Sequence, residues 1–135
     1  MVKQILIVDD DRELSRMLRA TLELFDRSYK IIEVPSAEEA MLEARRYAFD
    51  LVIADIRLPG MDGVEMLRRI RKLHPTTQVI IITGGVSPTA EAEARNLKVV
   101  AFFSKPLNTD EFIAAVQKAL GVENRPAPRS QPLGA

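Results

Sequence analysis

Five polar side chains that could do chemistry follow four short apolar runs of this 135-residue chain. In chain order they are Asp9, Asp10, Asp55, Thr83 and Lys105. Two carboxylates held about 4 Å apart repel by about 4 kcal/mol at an effective dielectric constant near 20. The lysine can offset one negative charge, so three carboxylates brought together would still attract a divalent cation with oxygen ligands. A carboxylate beside such a cation and an ammonium group is a plausible nucleophile toward phosphorus, and the product would be an acyl phosphate.

The composition excludes several other kinds of site. The chain has no cysteine and one histidine, which excludes thiol nucleophiles, thiolate metal sites and sites with several histidines. Any bound metal must therefore be held by oxygens, and this favours a hard cation such as Mg²⁺. The 19 basic and 19 acidic residues cancel, so charge gives no reason to expect nucleic acid or a membrane surface as a partner.

The expected location of the chain follows from its hydrophobic pattern. No apolar run approaches the roughly 20 residues that span a bilayer. The first residues lead directly into a strand-like run without the pattern of a signal peptide. We therefore expect a cytoplasmic protein without a membrane partner.

Apolar runs that alternate with amphipathic segments predict an α/β fold. The runs at 5–8, 51–54, 79–82 and 99–103 are apolar on both faces, which is typical of strands buried on both sides. A fifth predicted strand at 29–34 contains Lys30 and Glu33, so we expect it at an edge of the sheet. Five helical patterns lie between or after the runs. The first follows Asp11, and the second runs from a capping box at Ser36 to about Ala48. The third covers 64–71 and stops at His74 and Pro75, and the last two cover 88–96 and 108–120.

The predicted fold brings the five polar side chains together. Five strands alternating with five helices indicate a doubly wound sheet with right-handed crossovers. In an open parallel sheet, ligands bind beyond the carboxyl ends of the strands. We therefore expect the polar residues after each strand to meet at one edge. We take 1–121 as one domain, and we interpret the proline-rich segment 122–135 as a disordered tail or the start of a linker.

Four segments of the sequence resemble the response regulator receiver family. They are 8–11 (VDDD), 55–63 (DIRLPGMDG), Thr83 and 102–106 (FFSKP), and the similarity covers roughly residues 4–121. The resemblance implies a flavodoxin-like fold: a five-stranded parallel sheet in the order 2-1-3-4-5, flanked by five helices. It implies a phosphoacceptor module of two-component signalling rather than a conventional enzyme, since such a module catalyses only its own phosphorylation and dephosphorylation.

The resemblance assigns the phosphorylation chemistry residue by residue. Asp55 resembles the phosphoacceptor, and Lys105 resembles the lysine that binds the phosphoryl group. Asp10 resembles a direct ligand of Mg²⁺ and Asp9 its water-mediated neighbour, with Asp55 also in the metal site. Arg57 resembles the position whose backbone carbonyl binds the metal.

The resemblance also assigns a switch. Thr83 resembles the hydroxyl that responds to phosphorylation, and Phe102 resembles the aromatic residue that moves with it. Pro106 resembles the proline that follows a cis peptide bond after Lys105. The side chains two residues after the phosphoacceptor and two after the switch hydroxyl, here Arg57 and Gly85, influence the water that removes the phosphoryl group.

The implied partners are those of two-component signalling. The phosphoryl donor would be a sensor histidine kinase or a histidine phosphotransfer protein. The output partner would contact the face made by the fourth helix, the fifth strand and the fifth helix, and the chain could form a homodimer on phosphorylation. The residues leave open whether this is a free-standing regulator or the first module of a longer transcription regulator. No helix-turn-helix or basic stripe lies within these residues, so DNA binding by them is unsupported.

Two features depart from the family pattern. The family usually has glycine where Lys98 stands, ahead of the last strand, and the stretch after Thr83 is somewhat short. An alternative is a haloacid-dehalogenase-like phosphatase, whose nucleophile motif resembles Asp9-x-Asp11. Against this alternative, Glu13 stands where that family has Thr or Val, and the chain is short for that fold.

Simpler explanations exist for each feature alone. The run Asp9–Asp11 could be only a helix N-cap, and Thr83 could be only the end of a strand. Their coincidence after four buried strands favours a site. We interpret the arginines of the second and third helices, and His74, as solvated surface residues; these arginines are Arg45, Arg46, Arg68, Arg69 and Arg71.

Overall fold

The structure, a computed structural model, describes residues 2–58, 60–85 and 88–121. These residues form five strands and five helices in strict alternation. The strands are β1 (Gln4–Val8), β2 (Lys30–Val34), β3 (Leu51–Ala54), β4 (Gln78–Thr83) and β5 (Ala101–Ser104). The helices are α1 (Arg12–Phe25), α2 (Ala37–Arg46), α3 (Gly63–Leu73), α4 (Pro88–Arg95) and α5 (Thr109–Leu120). The predicted tail, 122–135, lies outside the described residues.

All strand pairs are parallel, and the strand order is β2-β1-β3-β4-β5. This order confirms the predicted doubly wound fold and places the more polar β2 at an edge. β1 lies between β2 and β3, and its side chains are buried on both faces of the sheet. Ile5 and Ile7 belong to the core beneath α1 and α5, while Leu6 and Val8 belong to the core beneath α2, α3 and α4.

Capping side chains set where most helices begin. Asp11 caps α1 by accepting a hydrogen bond from the backbone N–H of Leu14. In α2, the Ser36 hydroxyl accepts a hydrogen bond from the N–H of Glu39, as the predicted capping box requires. Asp11 therefore has the N-cap role that we weighed for the whole aspartate run, which leaves Asp9 and Asp10 for other roles.

Two surface predictions are wrong in the lower part of the fold, at the edge opposite the carboxyl ends of the strands. The Arg71 guanidinium is partly buried, and it donates to the carbonyls of Leu97 and Thr77. Burial lowers the pKa of Arg71. His74 Nε2 lies 2.8 Å from the Ala44 carbonyl, so this ring is also a structural contact rather than a solvated one. Arg71 reaches carbonyls in two connections and His74 reaches a carbonyl in the last turn of α2, contacts that a helical pattern cannot reveal.

Lys98 adopts the left-handed conformation, with φ of 57°. This explains why a glycine is usual here in the family: the left-handed region is strained for residues with a Cβ. Lys98 lies in the connection between α4 and β5, where its N–H donates to the Arg95 carbonyl. β5 begins at Ala101, two residues after the predicted start at Val99.

The variant Lys98→Gly should be more stable than the wild type by about 0.5–1 kcal/mol, because glycine adopts this backbone conformation without strain. Thermal and urea unfolding would measure the change. Lys98→Ala is the matched control, since it removes the same side chain but keeps the Cβ. Equal stability of the glycine and alanine variants would contradict the explanation.

Candidate functional site

Backbone hydrogen bonds between neighbouring strand ends fix the positions of the site residues. The N–H of Asp9 donates to the Val34 carbonyl at 3.1 Å, and the N–H of Asp55 donates to the Val8 carbonyl at 2.9 Å. The N–H of Lys105 donates to the Thr83 carbonyl at 2.9 Å. These bonds continue the sheet by one residue beyond β1, β3 and β5, so Asp9, Asp55 and Lys105 are attached directly to the hydrogen-bonded sheet.

Lys105 joins two buried carboxylates. Its Nζ atom lies 3.1 Å from Asp55 Oδ2 and 3.2 Å from Asp9 Oδ2. Only 4 % of Asp9 and 6 % of Asp55 is exposed to solvent. Burial alone would lower the pKa of Lys105, but its hydrogen bonds to Asp55 and Asp9 raise it overall. The lysine is therefore a permanent cation between the two carboxylates.

The second oxygen of each buried carboxylate accepts a hydrogen bond from a backbone amide. Asp9 Oδ1 accepts from the N–H of Asp11 at 2.8 Å, and Asp55 Oδ1 accepts from the N–H of Arg57 at 2.8 Å. Burial raises the pKa of the Asp9 carboxyl, while the bonds from Asp11 and Lys105 act in the opposite direction. The orientation of both carboxylates is thus fixed from two sides.

Asp10 completes a group of three carboxylates. One oxygen each from Asp9, Asp10 and Asp55 lies within 4.8 Å of the others, with Asp10 exposed to solvent. The three negative charges exceed the single positive charge of Lys105. A donor set made only of carboxylate oxygens, with one exposed side, fits Mg²⁺, which is usually held by one or two carboxylates and retains several waters.

Thr83 contributes a buried hydroxyl to the same edge. The residue is fully buried, and its Oγ1 atom has no hydrogen-bond partner within the described part of the chain. An unpaired buried hydroxyl costs about 1–3 kcal/mol, so such groups are uncommon in folded proteins. The hydroxyl is available to a new acceptor that arrives at this edge.

Phe102 lies on the same face of the sheet as Thr83. It is paired in register with Ile81, and Ser104 is paired with Thr83. Phe102 is half-buried and packs against the core that α3 and α4 cover, while the Arg95 guanidinium at the end of α4 lies 5.8 Å from its ring centre. The ring is therefore already partly packed beneath α4 rather than turned fully toward solvent.

The Arg57 side chain makes a contact that the sequence did not predict. Its Nη1 atom donates to the Gly85 carbonyl at 2.9 Å, which joins the loop after β3 to the loop after β4. The first of these loops begins at Asp55, whose Oδ1 atom accepts from the Arg57 amide. Gly85 has φ of 149°, and a Cβ there would lie 3.8 Å from Arg57 Nη1.

Gly63 and Glu38 shape the loop that follows Asp55. A Cβ on Gly63 would lie 2.5 Å from the Cα of Ile56, so only glycine allows α3 to begin so close to the end of β3. Glu38 of α2 accepts a hydrogen bond from the N–H of Met61 at 3.2 Å. The sequence could have indicated Gly63 through its place at the start of a predicted helix, but it gave no signal for Glu38.

On the far side of the site, the peptide bond between Lys105 and Pro106 is cis, as the resemblance implies.

Comparison with known proteins identifies the fold and the class of protein. The family described as the response regulator receiver domain matches residues 5–117. A response regulator receiver domain protein (CheY-like) from Methanospirillum hungatei JF-1 is 30% identical with a TM-score of 0.78, over 90% of this chain and 95% of that one. The chemotaxis response regulator CheY4 of Vibrio cholerae is 25% identical with a TM-score of 0.77, over 89% of this chain and all of that one.

Relatives found by sequence agree. The transcriptional regulatory protein ZraR of Escherichia coli K12 is 34% identical over 116 residues, or 86% of this chain. The C4-dicarboxylate transport transcriptional regulatory protein DctD of Rhizobium meliloti is 32% identical over 126 residues, or 90% of this chain. This chain belongs to the response regulator receiver family, the signalling domain of two-component systems. That membership decides against the phosphatase alternative.

The matched part is a small share of several relatives. The chain spans about a quarter of the length of ZraR and DctD, at 26% and 27%. What those whole proteins regulate therefore does not transfer to this chain. None of the described helices has both the length and the apolar character that a membrane crossing requires.

Proposed function

We propose that Asp55 accepts a phosphoryl group in a Mg²⁺-dependent reaction and that the acyl phosphate switches the face made by α4, β5 and α5. The observation that carries this proposal is the group formed by Asp9, Asp10, Asp55 and Lys105 at the carboxyl edge of the sheet. The donor would be a phosphohistidine of a sensor kinase or phosphotransfer protein, or a small acyl phosphate. A cytoplasmic location remains a prediction.

The reaction is an in-line displacement at phosphorus. A carboxylate oxygen of Asp55 forms the new O–P bond, and the bond from phosphorus to the donor breaks, with its electron pair leaving on the donor. Lys105 already contacts Asp55, so its ammonium is positioned to neutralise the oxygens of the transferred group. The backbone amide of Arg57 holds the other Asp55 oxygen during the approach.

The metal site would use the carboxylates of Asp9, Asp10 and Asp55, with the backbone carbonyl of Arg57 as the ligand that the family resemblance adds. Bound Mg²⁺ supplies positive charge to the phosphoryl oxygens and offsets the excess of carboxylates. Buried Asp9 is fixed by Asp11 and Lys105, so the exposed Asp10 is the carboxylate with most freedom to contact the ion directly.

The test of the proposed function is phosphorylation of the purified chain by acetyl phosphate or phosphoramidate, followed by intact-mass measurement. We expect a mass increase of one phosphoryl group with Mg²⁺ and none in excess EDTA. The product should be lost on treatment with hydroxylamine, which cleaves acyl phosphates. An undiminished mass increase in EDTA would contradict the proposal.

Replacing Asp10 by asparagine should weaken Mg²⁺ binding by roughly tenfold or more, because one direct carboxylate ligand loses its charge. The measurement is a Mg²⁺ titration followed by NMR or calorimetry. Asp11→Asn is the matched control: it removes the same charge one residue away, and asparagine still caps α1. Equal affinities of Asp10→Asn and Asp11→Asn would show that Asp10 is not a ligand.

The lifetime of the acyl phosphate should be long. Gly85 has no side chain to orient an attacking water, and the Arg57 guanidinium is held on the Gly85 carbonyl rather than free to assist. We expect Arg57→Asn together with Gly85→Glu to hasten dephosphorylation by roughly tenfold. Timed mass measurements after removal of the donor would give the decay rate.

The single variant Arg57→Asn is the control for this comparison, because a Glu at Gly85 is strained at φ of 149°. Circular dichroism and thermal unfolding establish that each variant is folded before the decay is timed. If a folded double variant loses its phosphoryl group no faster than the wild type, these two side chains do not set the lifetime.

A further inference from the structure

A cleft lies between α1 and the connection from β2 to α2. Its volume of about 420 Å³ falls within the range of small-molecule pockets, about 300–1,000 Å³. Asp9 lines this cleft, but Asp10, Asp55 and Lys105 do not. The cleft is therefore a separate space that meets the phosphorylation site at one residue.

The wall of the cleft that α1 contributes is cationic. Arg12, Arg16 and Arg19 line it, and their spacing of four and three residues places them on one face of the helix. Arg19 forms an ion pair with Glu33 of β2. Arg12 and Arg16 are exposed, and neither makes a hydrogen bond or ion pair with another described residue. Like charges four residues apart on a helix repel each other, so an anion bound between these two guanidinium groups would be stabilising.

Ser15 adds a buried hydroxyl to the same wall. The residue is 3 % exposed, it lines the cleft, and its Oγ atom has no hydrogen-bond partner within the described part of the chain. A hydroxyl inside a helix can donate to the carbonyl four residues earlier, as Thr21 of the same helix does to Met17 at 2.9 Å. Ser15 makes no such bond. Because buried polar groups are rarely left unpaired, this hydroxyl points to an acceptor that arrives from outside the chain.

The opposite wall of the cleft offers acceptors instead of donors. Glu39, in the first turn of α2, accepts a hydrogen bond from the Ser36 hydroxyl at 3.1 Å through Oε2. No cation contacts Glu39 within the described residues, and its other oxygen can accept a further bond. Val34 and Pro35 supply apolar surface beside it. A ligand that fills the cleft therefore needs an anionic end for α1 and hydrogen-bond donors for the α2 side.

We propose that this cleft binds a small phosphomonoester whose organic part carries hydroxyl groups, such as a sugar phosphate. The phosphate contacts Arg12, Ser15 and Arg16, because two guanidinium groups and a hydroxyl match the charge and the acceptor oxygens of a phosphate dianion. The hydroxyl groups of the ligand donate to Glu39. This binding goes beyond the phosphoacceptor function and does not depend on it, since none of these four residues belongs to the phosphorylation site.

The test is a titration of the full 135-residue chain with glycerol 3-phosphate, ribose 5-phosphate and glucose 6-phosphate, followed by amide NMR. EDTA is present throughout, so that no metal binds the carboxylates of the phosphorylation site. We expect at least one of the three to bind with a Kd on the order of 1 mM or lower, with shifts concentrated in 12–19 and 33–39. Inorganic phosphate and glucose, which each match one wall only, should bind roughly tenfold more weakly or worse. The proposal is overturned if none of the three esters binds at about 10 mM, or if inorganic phosphate binds as tightly as the best of them.

Replacing Arg16 by glutamine tests the place of binding. The variant should bind the best phosphomonoester roughly tenfold more weakly, because one of the two free guanidinium groups is lost. Arg45→Gln is the matched control: Arg45 is an exposed arginine of α2 that makes no ion pair with another described residue and does not line the cleft. Equal affinities of the two variants would show that the ligand does not bind in this cleft.

The variant Ser15→Ala separates binding from folding. It removes only a buried hydroxyl that makes no bond in the described structure, so its thermal unfolding temperature should equal or exceed that of the wild type. Its affinity for the phosphomonoester should nevertheless fall by about threefold or more, because the phosphate loses one donor. A stable Ser15→Ala variant that binds as tightly as the wild type would contradict the contact between this hydroxyl and the phosphate.

Discussion

The variant Asp55→Asn should gain no phosphoryl group from acetyl phosphate, at any concentration of Mg²⁺. Asparagine lacks the anionic oxygen that forms the bond to phosphorus. Asp9 and Asp55 have the same kinds of contact, since each is buried, accepts from a backbone amide through one oxygen and contacts Lys105 through the other. The family resemblance assigns the acceptor role to Asp55 and a metal-site role to Asp9. Intact-mass measurement after incubation gives the result directly.

The fold of this variant should survive, because asparagine has the same shape and keeps a carbonyl oxygen that can accept from the Arg57 amide. Thermal unfolding would establish this. Asp62→Asn is the control: Asp62 lies in the same loop and caps α3, and asparagine caps equally well. If Asp55→Asn is phosphorylated as fully as Asp62→Asn, another acidic residue is the acceptor.

The sequence predicted the parts of this site that depend on the strands. Asp9, Asp55 and Thr83 each end or directly follow an apolar run, and parallel strands bring their carboxyl ends to one edge whatever the details of packing. The backbone bond from Asp55 to Val8 is a consequence of the same regular pairing. These positions were therefore predictable from the apolar runs and the parallel direction of the strands, whereas the strand order came from the family resemblance.

The sequence could not predict contacts between loops. The bond from Arg57 to the Gly85 carbonyl depends on the path of two irregular segments, and a long side chain can reach many carbonyls from one position. Arg71 is a similar case: it lies on a helix face with other arginines, yet it donates to the carbonyls of Leu97 and Thr77. Hydrophobic patterns report which faces are apolar, and they contain no information about backbone acceptors in loops.

Family resemblance supplied what neither pattern nor charge could. An aromatic residue in an apolar strand is usually part of the core, and Phe102 does pack against the core beneath α4. Its assignment as a switch residue comes from the resemblance, and the structure adds that it shares a sheet face with Thr83 and lies beneath the Arg95 guanidinium. The geometry therefore allows a change at Thr83 to reach α4 through one neighbouring strand.

The variant Thr83→Val should lose most of the conformational response to beryllofluoride and Mg²⁺, a mimic of the acyl phosphate. In the wild type, the buried Thr83 hydroxyl has no partner in the described structure, so new acceptor oxygens on Asp55 would draw it inward and open space for Phe102. A hydrogen bond to a charged group is worth about 1.5–3 kcal/mol. Its loss should shift the equilibrium between inactive and active forms by at least about tenfold.

Amide NMR spectra with and without beryllofluoride would measure this response in α4, β5 and α5. Thr83→Ser is the matched control, because it keeps the hydroxyl and should respond like the wild type. The valine variant should not be destabilised, since it replaces an unpaired buried hydroxyl with a methyl group of the same shape. If the valine and serine variants respond equally, or if wild-type shifts are confined to residues around Asp55, the hydroxyl does not link the phosphorylation site to the α4–β5–α5 face.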